Sequence, residues 1–138
     1  MSLRTKVNYN IARKTVTDAA MLIAAPTTLF TVTGLVEMII FGRIKEAVTS
    51  GGACTLEVGI AGGTATLIAQ AAKAALLANL IWKDATPANP AALPAPKLVE
   101  NGADVIQTTG TTDANGGEIE YYCLWRPLSP GSKVAAAA

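Results

Sequence analysis

The chain has no histidine, only two cysteines in 138 residues, and just 5% aromatic and 15% charged side chains. Each shortage removes a class of function. Without histidine the usual zinc-ligand spacings are absent, and so is the most frequent general base. Cys54 and Cys123 lie far apart and cannot make a metal site alone. Their spacing leaves a disulfide open, but both sit in strand-like runs, where a small buried thiol is the simpler reading. Charges or glycines break every apolar run before it reaches the length of a membrane span. Asn8, Asn10, Arg13, Lys14 and Asp18 interrupt any hydrophobic region near the N-terminus, so no signal peptide is expected. A net charge of +1 makes no case for nucleic acid.

What is present is small and apolar. Hydrophobic residues make up 51% of the chain, with alanine supplying much of that share. The length suits a single domain that can bury a core without staples. Charge well below the usual quarter leaves a monomer short of polar cover, which points to surface buried by partners. An alanine- and threonine-coated monomer surface is the plainer alternative.

The longest strand-like run is Leu29–Ser50. Phe30, Val32, Gly34 and Val36 fall on one face, and Thr31, Thr33 and Leu35 on the other, the period-two pattern of a half-buried strand. From Val36 to Phe41 both faces turn apolar, which predicts a place between two layers or at a subunit contact. Gly34 and Gly42 mark positions for a bend or bulge.

Before this run, residues 1–17 carry Arg4, Lys6, Arg13 and Lys14 with no acidic residue and weak apolar spacing, which predicts a flexible basic arm. After it, Ser50-Gly51-Gly52 is a turn signal. Cys54, Leu56, Val58 and Ile60 then alternate with Thr55, Glu57 and Gly59, so that Arg43–Val48 and this strand read as a hairpin. Ala61-Gly62-Gly63 turns the chain into Thr64–Ile68. In residues 69–82 alanine and leucine favour a helix, with Leu76, Leu77, Leu80 and Ile81 at helical spacing. This predicts a short helix near 69–77, then a strand at Leu80–Lys83. Pro87, Pro90, Pro94 and Pro96 make residues 84–97 an extended loop of the kind that wraps a surface or a neighbour. Val105–Thr109 and Glu118–Arg126 read as a last hairpin around Asn115-Gly116. In its return strand Ile119, Tyr121, Cys123 and Trp125 share one face, and Glu120, Tyr122, Leu124 and Arg126 the other.

Several chemical readings give way to structural ones. Gly59-Ile60-Ala61-Gly62-Gly63 lacks the Lys-Ser/Thr and following helix of a phosphate loop. Glu118 and Glu120 share one strand face, whereas paired catalytic carboxylates need a cleft. Asp113 and Asn115 lack the further oxygen ligands of a calcium loop, and turn chemistry accounts for them. Tyr121, Tyr122 and Trp125 could stack on sugars or bases, but packing in the core or between subunits explains them better. Neither an enzyme nor a cofactor is expected.

The run Leu29-Phe30-Thr31-Val32-Thr33-Gly34-Leu35-Val36, the glycine- and alanine-rich middle, and the ending Glu118–Trp125 followed by Arg126-Pro127-Leu128-Ser129-Pro130-Gly131 together resemble small structural proteins of tailed bacteriophages. The resemblance covers roughly residues 29–135. It implies a virion component, a head decoration (cement) protein made in the host cytoplasm and bound to the major capsid protein on the outside of the shell. Low charge, few large aromatics and the proline-rich loop point to a homo-oligomer, for which the resemblance favours a trimer, and no nucleic-acid or membrane partner is expected. Arg4, Lys6, Arg13 and Lys14 are then the candidate capsid-binding residues. The alternative is a carbohydrate- or host-surface-binding module of a tail or fibre. The expected fold is all-β, a sandwich or barrel of about seven to nine strands over residues 18–138, with at most one short helix and with 1–17 as the arm.

Overall fold

In a computed structural model, which describes residues 8–138, the run Leu29–Ser50 is two strands rather than one. In chain order the strands are β1 (Asn10–Thr17), β2 (Thr27–Thr33), β3 (Val36–Thr49), β4 (Thr55–Ile60), β5 (Gly63–Ala72), β6 (Ile81–Trp82), β7 (Lys97–Val99), β8 (Val105–Gly110), β9 (Gly116–Pro127) and β10 (Lys133–Ala136). They form two five-stranded antiparallel sheets. The first runs β1-β9-β3, with β6 and β7 both on the far edge of β3. The second runs β10-β2-β8-β4-β5. Both sheets contribute to one apolar core, so the chain is an all-β sandwich.

The break in the long run falls at Gly34, whose φ is +70°. A side chain there would be strained, and its Cβ would lie 2.7 Å from the Cβ of Ser132. The backbone N–H of Leu35 donates to Ser129 Oγ at 2.9 Å, and Leu128 N–H donates back to the Leu35 carbonyl. These bonds hold the corner where the chain leaves the second sheet for the first. With the split, and with β6 and β7 only two and three residues long, the described residues hold ten strands rather than seven to nine.

Alternation predicts the buried faces well. Val36, Met38, Ile40 and Ile44 of β3 are buried, as are Leu56 and Val58 of β4 and Ile119, Tyr121 and Cys123 of β9. Each such aliphatic side chain contributes roughly 1.5–3 kcal/mol on full burial. Gly42 stays inside β3, level with Trp82 on one side and Tyr121 on the other. A Cβ at Gly42 would press within 2.9 Å of Ile119, so the missing side chain leaves room for the Trp82–Tyr121 ring pair, 6.1 Å apart. The fully buried Tyr121 hydroxyl donates to Gln107 Oε1 on β8, a hydrogen bond through the core that ties one sheet to the other. Cys54 and Cys123 are both buried free thiols, and burial pushes Cys123 up to about 12.

Four expectations are corrected. Strands β3 and β4 are not a hairpin: Ser50–Ala53 carries the chain from the first sheet to the second. Strands β8 and β9 likewise belong to different sheets. These two crossings lie side by side, with Ser50 Oγ donating to the Asp113 carbonyl at 2.7 Å and Asn115 N–H donating to the Thr49 carbonyl at 2.8 Å. The short helix near 69–77 is instead the end of β5 and a single 3-10 turn, Lys73–Ala75. Ala71 pairs with Leu56 and is buried, and Lys73 N–H donates to the Cys54 carbonyl, so pairing with β4 overrides helix propensity. Residues 10–17 are not a flexible arm, because β1 pairs with β9 along its whole length and buries Val16; the rest of the expected arm, residues 1–7, lies outside the described residues.

The expected turn at Ala61-Gly62-Gly63 is present and joins β4 and β5 as a hairpin, and a strand lies at Ile81–Trp82. The proline-rich loop packs on its own domain: Ala91–Pro94 lies against Phe41 and Ile81, and Pro94 and Ala95 against Met38, Ile40 and Leu67.

Candidate functional site

Side chains that leave the core must go somewhere, and on the first sheet they form an ordered grid. Cross-strand register sets Ile11 beside Leu124 and Leu124 beside Ile39. The next row is Arg13, Tyr122 and Phe41, and the next is Thr15, Glu120 and Arg43. Residues in one row point to the same face of a sheet, so three strands build one continuous outer surface.

Its middle is apolar and aromatic. Phe41 and Tyr122 stack with ring centroids 5.3 Å apart at 14°, and the Arg13 guanidinium lies 5.7 Å from the centre of the Tyr122 ring. Ile11 is 55% exposed beside this pair. On its other side Phe41, Ile81 and Ala91–Pro94 line a hollow of about 120 Å³, with Leu93 62% exposed. Exposed apolar side chains are ordinary when scattered, whereas here Ile11 and Leu93 flank a stacked aromatic pair.

Charge borders the patch at both ends. At one end Glu37 accepts from Tyr9 Oη at 2.8 Å and from Arg126 Nη2 at 2.9 Å. The Arg126 bond, reinforced by the Tyr9 bond, holds the Glu37 carboxyl below its usual range, and the same contact raises Arg126. At the other end Glu120 accepts from the Tyr122 hydroxyl and pairs with Arg43 at 3.4 Å, while Lys45 pairs with Glu118 at 3.1 Å. The Tyr122 hydrogen bond is the main cause of the lowered Glu120 value. Glu118 and Glu120 therefore sit on a solvated, ion-paired face.

Of the four candidate basic residues, the structure describes Arg13 and Lys14. Arg4 and Lys6 lie outside the described residues. Arg13 faces the patch, while Lys14 reaches over the sandwich edge and donates to the Ala137 carbonyl at 3.0 Å. Asp113 and Asn115 brace the crossings: Asp113 Oδ1 accepts from Ile23 N–H at 2.8 Å, and Asn115 Oδ1 from Thr49 Oγ1 at 2.8 Å. Among the described residues no group of three or more Cys, Asp or Glu side chains is placed to hold a metal ion. Ile11 and the Tyr9–Glu37–Arg126 cluster were not singled out by sequence, whereas Phe41 closes the run whose two apolar faces were read as lying between layers or at a subunit contact. The legible signal was in β9, where Tyr122 and Leu124 take outward positions that a solvated strand would give to polar residues.

No protein-family model matches the chain, and no curated protein matches it. A solved structure described under "Bacillus endospore appendages form a novel family of disulfide-linked pili" aligns over 94% of this chain and 98% of its own, at 14% identity and a TM-score of 0.28. A likeness that weak supports no statement about this chain.

Proposed function

We propose that the protein is a structural component of a tailed-phage virion, a decoration protein that docks on the outside of the head shell and stabilises it. The observation that carries this reading is the outer face of the first sheet. An apolar and aromatic centre of Ile11, Leu124, Phe41 and Tyr122, rimmed by ion pairs, has the anatomy of a protein-docking surface. The phage-like strand and turn motifs supply the kind of partner, the major capsid protein, and the favoured trimeric state. Arg13 beside Tyr122 is the basic residue best placed to take part.

The test is co-sedimentation of the purified chain with undecorated heads. Stoichiometric binding that Ile11→Glu abolishes supports the reading; no binding, or binding indifferent to Ile11→Glu, overturns it. A second reading, a host-surface carbohydrate module, draws on the hollow beside Phe41. Glycan-array binding that Leu93→Ala removes would favour it.

A further inference from the structure

The two sides of the sandwich are finished differently. On one side β1 and β10 approach each other, and Lys14 ties the end of the chain to β1. On the other side β5 and β7 stand apart. Between them runs a groove of about 380 Å³ lined by Ile60, Thr66, Leu67, Leu98, Val99 and Ala103, with Lys97 and Glu100 on its rim. Leu98 is 67% exposed there.

Strand β5 is an edge strand of ten residues, Gly-Thr-Ala-Thr-Leu-Ile-Ala-Gln-Ala-Ala, without a charge or a proline. Edge strands usually carry such residues to discourage pairing with another chain. Its register against β4 is bulged, which bends the strand, yet its outer edge is still open for pairing. A side-chain donor from β7 already reaches this strand: Lys97 Nζ donates to the Thr66 carbonyl at 2.7 Å.

We propose that this groove receives residues 3–7 of a second copy of the chain as an added strand on β5. The inference goes beyond the proposed docking on shells and does not depend on it. Leu3, Thr5 and Val7 alternate with Arg4 and Lys6. Strand pairing therefore puts the first three on one face, toward the apolar floor, and the two cations on the other. On the rim Glu100 is offset by Lys97, and a further carboxylate, Glu57, lies on the strand beside β5.

Reach excludes the same chain. Asn10 pairs with Trp125, Trp125 with Met38, and Met38 with Lys97, so Asn10 lies three strands away from the groove wall. That distance is roughly 14 Å. Seven extended residues span about 23 Å, which leaves about 9 Å, less than three residues of strand, to lie along the groove. A copy placed side by side has no such crossing. Donor and acceptor lie on opposite edges, so the contact is head-to-tail and propagates into a ring or a filament.

The experiment is sedimentation velocity on the purified chain without shells. The full chain should form concentration-dependent oligomers. A version beginning at Asn8, and separately Leu98→Glu, should weaken self-association at least about tenfold while leaving circular dichroism unchanged. The decisive arm mixes the two variants: one keeps only the groove and the other only the donor segment, so together they should form a dimer and nothing larger. A full chain that stays monomeric, or a mixture that does not dimerise, overturns the inference. A Val7→Cys/Leu98→Cys double variant that cross-links within one chain also overturns it. Because shells are absent, failure here leaves the co-sedimentation test of the proposed function untouched.

Discussion

The two sheets share one core but turn very different faces to solvent. The outer face of the first carries Ile11, Arg13, Phe41, Arg43, Glu120, Tyr122 and Arg126. That of the second carries Thr31, Thr33, Thr55 and Gln70, with Glu57 held by the Thr64 hydroxyl and by Gln70 Nε2 at 2.9 Å. Threonine suits a strand whatever it faces, because its branched side chain packs on the pleat and its hydroxyl tolerates water. Aromatic rings and paired charges need a further reason. The low overall charge is thus unevenly spent, and the first sheet holds most of what a partner could recognise.

The comparison can be broken most forcefully by removing residues 1–17. This deletes β1, and with it a third of each row on the first face and the burial of Val16, about 1.5–3 kcal/mol. The thermal midpoint should fall by about 10 °C or more. A midpoint equal to that of the full chain would mean that β1 is an ornament rather than part of the sheet. Next in size is Tyr122→Ala, which under the proposed function should weaken shell binding about 30-fold, the cost of losing an aromatic anchor of about 2 kcal/mol. Thr33→Ala, exposed on the other face, should leave binding unchanged. Equal losses from both would show that the two faces are not specialised.

Smaller effects sharpen the picture. The folded value of Glu37 lies below the ordinary carboxylate value, so its contribution to stability is fully present above that ordinary value and is lost as pH falls through the folded one. Glu37→Gln should therefore flatten the acid side of a plot of thermal midpoint against pH. The smallest change is expected for Glu118→Gln, whose partner Lys45 is largely solvated. Chemical denaturation should place it within about 0.5 kcal/mol of the parent.

How much of this was legible beforehand differs by element. In β9 the inward set Ile119, Tyr121 and Cys123 and the outward set Glu120, Tyr122 and Arg126 were readable, because alternation reports the environment of each side chain. The same alternation in β3 and β4, and in β8 and β9, suggested hairpins that do not exist. A strand that buries one face shows the same pattern whether the next strand pairs beside it or packs across the core. Glycine-rich corners at Ser50–Ala53 and at Asn115–Gly117 serve either arrangement. The outer grid was hidden for a related reason, since Ile11, Leu124 and Ile39 become neighbours only through the register of three strands distant in sequence.

By itself, then, the sequence determined that the chain is all-β, which residues of its clearest strands are buried, and that Ala61-Gly62-Gly63 is a turn. Tertiary structure alone decided the rest. It recruited Asn10–Thr17 as a strand, although those residues are too polar to announce one, because the open edge of β9 offers hydrogen bonds along its length. It kept Ala69–Ala72 extended against β4, since a few residues of alanine gain too little from local helix to compete with a ladder and a buried Ala71. Burial is written residue by residue, whereas pairing depends on which distant edge is free, and only the folded chain defines its edges.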